Sequence, residues 1–170
     1  DYDHARALEL TESFFWTFCD DYLELVKERA HAADGVGSRS AAVALSAALD
    51  VMVRLLAPVL PFAAEEVWSW LHEDSIHLAS WPEPLGISGD PAVLALASEL
   101  LVGVRRAKTE AKASQKTPVD LAVLELPEAA LSLAQSVAED LRAVGRIAHL
   151  EWRLGDANRV LDIRLGELEA

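Results

Sequence analysis

Apolar side chains recur at helical spacing through the first thirty residues of the chain. Successive positions are seven, three, four and four residues apart, which places their side chains on one face of a helix over residues 4–30. No capping signal precedes this pattern, so we expect the chain to begin inside or just before the helix. The five positions are Leu8, Phe15, Phe18, Tyr22 and Val26.

Proline positions divide the following segment into two more helices. Residues 40–57 are rich in Ala, Leu and Val, and this predicted helix ends because Pro58 disfavours helical geometry at the residue before it. Pro61 suits the first turn of the next helix, which we predict over residues 62–71. Residues 73–89 are then expected to form an ordered loop.

A fourth helix is predicted from Asp90 to about Ser114. Asp90 is a favourable N-cap residue, and Pro91 suits the first helical turn. Four consecutive helices with apolar faces predict a mainly α fold, in which residues 1–116 form an antiparallel four-helix bundle.

The pattern changes to strands in the last third of the chain. Residues 119–126 form a β-branched and aliphatic run, which predicts a strand, and residues 127–147 return to helical spacing. Residues 149–154 and 160–165 alternate on either side of a short turn, which predicts a hairpin. Residues 117–170 are therefore predicted to form a small α+β subdomain of β-α-β-β order.

No group of side chains has the spacing typical of a catalytic or metal site. The five histidines are scattered, and the single cysteine, Cys19, is interpreted as a small buried apolar residue. Asp20, Glu24 and Glu28 share a helix face, but a solvated acidic face is favoured over catalytic carboxylates. We therefore predict no catalytic residue, metal or cofactor in this chain, and a function in recognition.

The formal net charge of −13 is the opposite of what a protein that binds phosphates through bulk electrostatics shows. Positive charge is concentrated in one cluster, and all of its members except Arg106 stand at spacings of three, four and four, which predict one basic stripe on a helix. Two interpretations of this stripe stay open, a solvated helix face and a contact surface for nucleic acid. The cluster consists of Arg105, Arg106, Lys108, Lys112 and Lys116.

Four tryptophans in the helical region have two possible roles, packing in the core and stacking on nucleic-acid bases. Trp68 and Trp70 are two residues apart on a short helix, so at most one of them is fully buried. We expect Trp68 and Trp81 to pack, and leave both roles open for Trp16 and Trp70.

Three segments together resemble the helical anticodon-binding region of class I tRNA synthetases for aliphatic amino acids. They are residues 14–27, residues 55–68 with their Ala-Pro, Pro and Glu-Glu-x-x-Trp elements, and the Ser-Trp-Pro of residues 80–82. The second and third segments are shared by the valine, isoleucine and leucine members, whereas Phe-Cys-Asp-Asp-Tyr-Leu-Glu is most similar to the valine-specific members. Residues 104–114 are similar to the basic helix end of those members.

The resemblance implies that Tyr22, Leu23 and Glu24 lie beside the anticodon, with Leu23 offering an apolar surface to a base. A carboxylate only accepts hydrogen bonds, so Glu24 favours the amine-bearing bases adenine and cytosine, the second and third anticodon letters of valine tRNAs. Isoleucine tRNAs carry uracil as the third letter, which offers a carbonyl instead. The candidate tRNA-binding residues are Tyr22, Leu23, Glu24, Lys27, Arg105, Arg106, Lys108 and Lys112.

The resemblance also implies that the chain is a truncated part of a longer enzyme. Its partners are expected to be the anticodon stem-loop of tRNA(Val) and the catalytic and editing domains of the same polypeptide, which join valine to the tRNA with ATP. The apolar residues 41–64 are interrupted by charged residues and prolines, so we expect no membrane segment, and a cytoplasmic monomer. Two alternatives remain: an isoleucine or leucine enzyme, and a helical protein-interaction module whose acidic face binds a basic partner.

Overall fold

The computed structural model describes residues 3–32 and 35–167 of the chain. It is rich in helix and contains a small three-stranded sheet. The described residues divide into two compact units, one within the ranges Asp1–Leu23 and Arg29–Ser88 and the other within Glu24–Glu28 and Gly89–Ala170. The predicted mainly α fold with an α+β part is confirmed at this level.

The described chain opens with a long helical segment, as predicted. Helix α1 (His4–Thr17) continues through a π-helical turn, Phe18–Tyr22, into α2 (Leu23–His31). The start is capped, contrary to the prediction, because the Asp3 carboxylate accepts a hydrogen bond of 3.0 Å from the Arg6 amide.

Two further α-helices lie in the first unit. Helix α3 (Val36–Leu56) begins four residues earlier than predicted, after Gly35, whose φ of 147° favours glycine. It ends before Pro58, and α4 (Pro61–Ser69) begins on proline, so both predicted proline effects are confirmed. The helices α1 and α3 are in contact, as are α3 and α4.

A small apolar cluster holds α4 against the end of α3 and the loop that follows α4. The Trp68 side chain lies at its centre and is 7% exposed. Glu65 fixes the loop, because its Oε2 accepts hydrogen bonds of 3.0 Å from both the Ser75 hydroxyl and the Ile76 amide. The cluster consists of Ala57, Ala64, Trp68 and Ile76.

The second unit contains α5 (Pro91–Glu110), whose N-cap is Asp90, with Oδ1 2.9 Å from the Ala92 amide. This cap confirms the predicted start. The helix ends four residues before the predicted Ser114, and Lys112 has a left-handed φ of 54°, which no α-helix accommodates. The prediction of one continuous helical stripe through Lys112 and beyond is therefore wrong.

The sheet consists of β1 (Val119–Leu126), β2 (Ile147–Leu154) and β3 (Arg159–Leu165) in the order β2-β1-β3. Strand β1 pairs in parallel with β2 and antiparallel with β3. The predicted hairpin between β2 and β3 is wrong. Most of β1 is buried, whereas β2 and β3 are mostly exposed, so the most apolar strand takes the centre and separates the other two.

Between β1 and β2, the predicted helix is interrupted. A short 3₁₀ turn leads into α6 (Leu131–Ser136), and α7 (Ala138–Gly145) follows after a break at Val137.

Across residues 3–32 and 35–167, no helix is both long and apolar enough to cross a membrane. Helix α5 groups with the sheet in one compact unit. The domain boundary between residues 116 and 117 stays a prediction.

Candidate functional site

Glu24 lies on α2 with its side chain 37% exposed. Its Oε2 accepts a hydrogen bond of 2.6 Å from the Lys27 ammonium and lies 4.0 Å from Nη2 of Arg105 on α5. Within the described part of the chain, Oε1 has no hydrogen-bond partner. The carboxylate is thus held through one oxygen and available through the other.

Helix α2 is fixed by burial of the two residues that follow Glu24. Leu25 and Val26 are almost fully buried, so the backbone of this turn is anchored while Glu24 and Lys27 stay partly exposed on either side. A π-helical turn precedes them. A residue added to a helix by such a turn advances all later side chains by roughly 100° around the axis. The apolar spacing alone gave no signal of this turn.

The two predicted neighbours of Glu24 differ in exposure. The Leu23 side chain is exposed, as an apolar surface for a base requires. The Tyr22 ring is half-buried and stacks on Phe18, with centroids 5.4 Å apart. Tyr22 therefore has a packing role within its own unit.

A cavity of about 260 Å³ in the second unit is lined by Glu24 and by the cationic residues nearest to it. Its walls come from α2, α5, the turn after α5 and the end of α7. The acidic side chains are Glu24 and Glu28. The basic side chains are Lys27, Arg105, Lys108, Lys116 and Arg146. The structure thus brings Glu24 and Lys27 together with Arg105, which is 81 residues after Glu24 in the sequence.

Lys108 forms part of the cavity wall and is only 2% exposed. Its Nζ donates to the carbonyl oxygens of Gln115, at 3.1 Å, and Gly145, at 2.9 Å. Burial lowers the pKa of Lys108, and the positive charges of Arg146 and Arg105 lower it further. Lys108 therefore caps the C-terminal end of α7 and holds the turn after α5, and the prediction that it lies on an exposed basic face is wrong.

Two other predicted residues lie outside this cavity. The Arg106 guanidinium pairs with Glu110 at 2.8 Å and lines a separate cavity beside β3. Lys112 is exposed in the turn after α5 and does not line the described cavity walls. Neither residue lines the cavity that contains Glu24 and Arg105.

Sequence reasoning missed Arg146 and gave Lys116 no role separate from its neighbours. Arg146 follows α7 with a left-handed φ of 54°, and its Nη1 donates to the Lys116 carbonyl at 3.3 Å. A basic residue directly after a glycine near a helix end was the only available signal.

The tryptophans follow the predictions in part. Trp68 is buried and stacks on His72, with ring centroids 3.7 Å apart, while Trp70 is exposed, so only one of this pair is buried. Trp81 is 60% exposed, and the prediction that it packs is wrong.

Among residues 3–32 and 35–167, no group of three His, Cys, Asp or Glu side chains is placed to hold a metal ion.

The family of the chain follows from residues 1–124, which match the anticodon-binding domain of tRNA ligase. This match covers more than half of the chain, and the chain belongs to that family of anticodon-binding domains.

Similar proteins are valine–tRNA ligases. That of Leifsonia xyli is 56% identical over 168 residues, covering 96% of this chain and 20% of that protein. That of Thermobifida fusca is 46% identical, covering 99% and 20%. That of Tropheryma whipplei is 44% identical, covering 98% and 19%. The chain spans about a fifth of the length of these relatives.

Proposed function

We propose that this chain recognises the anticodon of tRNA(Val) as part of a valine–tRNA ligase. The family and the relatives support an anticodon-binding role and favour valine over isoleucine or leucine. The observation that carries the base-reading mechanism is the Glu24 carboxylate, which is partly exposed, anchored through Oε2 and unpaired at Oε1.

The chemistry of this carboxylate suits the valine anticodon. Oε1 accepts a hydrogen bond from an exocyclic amine, which adenine and cytosine carry and uracil lacks. A uracil carbonyl at the same position faces the carboxylate without a proton between them. Glu24 therefore selects amine-bearing letters by attraction and rejects uracil by repulsion.

The neighbours of Glu24 complete the proposed contact surface. Leu23 precedes it on α2 and offers exposed apolar area against which a base face packs. Lys27 and Arg105 lie beside the carboxylate and are partly exposed, so they are placed to meet the phosphates of the same RNA loop. Tyr22, Arg106 and Lys112 remain candidate contacts at the margin, and we leave out Lys108 because its ammonium is buried on two carbonyls.

The whole protein is proposed to attach valine to tRNA(Val) with ATP, as a cytoplasmic monomer whose catalytic and editing domains lie outside this chain. In that protein we propose that the helices α1 to α5 form an antiparallel four-helix bundle, with α1 and α2 as one member. The chain itself is proposed to need no cofactor.

Anticodon stem-loops with altered letters test this function in the complete protein. We expect a stem-loop with the valine anticodon to bind about 5- to 150-fold more tightly than one whose third letter is changed from cytosine to uracil, the range for one lost base contact. A stem-loop with a changed first letter is the matched control, since Glu24 is assigned to the other letters. Equal affinity for all three stem-loops would contradict the proposal.

A further inference from the structure

Like charges gather around the cavity beside Glu24. Five basic and two acidic side chains line it, so cations outnumber acids by three in a chain whose net charge is −13. Positive charges held close together repel each other, and an anion placed among them removes that repulsion. This is the arrangement expected of an anion site.

Arg146 and Lys116 have no carboxylate partner among the described residues. Most arginines of the chain, in contrast, have one. Within the described part of the chain, the Arg146 guanidinium bonds to a backbone carbonyl and to no carboxylate, which leaves its positive charge uncompensated there. Both side chains are exposed and line the cavity. Among the described residues, the arginines with a carboxylate oxygen within 4.0 Å include Arg6, Arg54, Arg105, Arg106, Arg142, Arg159 and Arg164.

The backbone holds Arg146 in a conformation that glycine adopts more easily. Its φ is 54°, and it sits between the end of α7 and the start of β2. The Arg146 carbonyl accepts from the Val119 amide at 2.8 Å, and its own amide donates to Ala143 at 3.2 Å, so the residue is fixed at the cavity edge.

The buried Lys108 ammonium lies in the wall of the same cavity as Arg146. An ammonium has three N–H groups, and two of those on Lys108 bond to the Gln115 and Gly145 carbonyls. Burial and the two neighbouring guanidinium groups lower the pKa of Lys108, which an anion in the cavity would oppose.

We propose that this cavity binds one backbone phosphate of the anticodon loop, with Arg146 and Lys116 as its principal contacts. The proposal rests on the function proposed above and adds to it. Glu24 lines the same cavity, so a nucleotide whose base amine meets Glu24 has its own or the adjacent phosphate within reach of these cations. Base identity and backbone position are then read at one place.

The test is the salt dependence of stem-loop binding by the complete protein carrying Arg146→Gly. Glycine suits the φ of 54°, so this variant keeps the backbone while removing the charge. We expect the slope of log affinity against log salt to become shallower by about 0.7, the value for one phosphate contact to single-stranded nucleic acid, with an unchanged or higher unfolding temperature. Lys116→Gln should give a similar change in slope.

Arg164→Gln is the matched control, because Arg164 is an exposed arginine of the same unit that does not line this cavity. Its slope should equal that of the unaltered protein. Replacing one phosphate of the loop by an uncharged methylphosphonate should flatten the salt slope as Arg146→Gly does, when the replaced phosphate is the one bound in the cavity. Combining that replacement with Arg146→Gly should flatten the slope no further.

An unchanged slope in both Arg146→Gly and Lys116→Gln would overturn the phosphate site while leaving anticodon reading by Glu24 in place. If both variants flatten the slope but the protein does not distinguish cytosine from uracil, the proposed base reading fails and the phosphate site stands. Inorganic phosphate is also expected to compete with the loop for this cavity. If it competes in the unaltered protein, but Arg146→Gly changes neither the competition by phosphate nor the affinity for the loop, the cavity is not the competing site and the inference also fails.

Discussion

Glu24 and Lys27 form an ion pair one helical turn apart on α2, with Oε2 of Glu24 2.6 Å from Nζ of Lys27. Both side chains are about two-fifths exposed, at 37% and 42%. A pair this accessible contributes little to stability, because water screens the charges. Its consequence is geometric: it fixes one carboxylate oxygen and leaves the other for a ligand.

Removing the partner of Glu24 should therefore affect recognition more than stability. We expect Lys27→Met to lower the free energy of unfolding by less than about 1 kcal/mol, the usual limit for an exposed pair. The same change should weaken the preference for cytosine over uracil, because the carboxylate is no longer oriented. Stem-loop binding and urea unfolding measure the two effects, and a loss of several kcal/mol in stability would show that the pair is structural instead.

Lys108 should behave in the opposite way. Lys108→Met leaves the Gln115 and Gly145 carbonyls without their donor, and an unsatisfied buried group costs about 1–3 kcal/mol. Urea unfolding of the chain should show this loss, while Lys116→Met, at an exposed side chain, should change stability by less than about 0.5 kcal/mol. Equal effects of the two substitutions would contradict the assigned burial.

The stability that depends on Lys108 should also vary with pH. Its folded pKa is lowered from 10.5, so between that lowered value and 10.5 the unfolded chain binds more protons than the folded chain. The free energy of unfolding then rises with pH in this window. We expect the difference between the unaltered chain and Lys108→Met to grow as the pH approaches 10.5 and to be flat below the folded pKa. A difference that shrinks in that window would reverse the sign and contradict the account.

Two tryptophans of the first unit give a matched comparison of packing. Trp68 is 7% exposed within the apolar cluster, so Trp68→Ala should cost about 3–5 kcal/mol. Trp81 is 60% exposed, and Trp81→Ala should cost less than about 1 kcal/mol. Thermal unfolding of both variants distinguishes them, and similar shifts in the unfolding temperature would mean that Trp81 packs after all.

The positions of the helices were predictable where side chains act locally. Proline at residues 58, 61 and 91 and the Asp90 cap act within one turn, so the ends that they set were confirmed. The end of α5 was not predictable, because Lys108 looks like a surface residue in sequence and its carbonyl partners lie seven and thirty-seven residues away.

The sheet order shows the same division between local and distant information. Alternation in β2 and β3 identified both strands, but pairing depends on which strand buries the most surface, and β1 takes the central position. At the candidate site, the family motif and the acceptor chemistry of a carboxylate singled out Glu24. The cavity was not predictable, since Arg105, Lys116 and Arg146 meet Glu24 only through tertiary packing.

The most direct test combines Glu24→Gln with a change of the third anticodon letter from cytosine to uracil, measured as kcat/KM for valine attachment by the complete protein. Glutamine offers an amide donor as well as an acceptor, so it tolerates the uracil carbonyl. Glu12→Gln, the same charge change at an exposed residue of α1, is the control. We expect the change to uracil alone to lower kcat/KM about 5- to 150-fold, and Glu24→Gln alone to lower it less, because the amide oxygen still accepts from cytosine. The two changes together should lower it by much less than the product of the two losses. Losses that simply multiply would contradict base reading by Glu24.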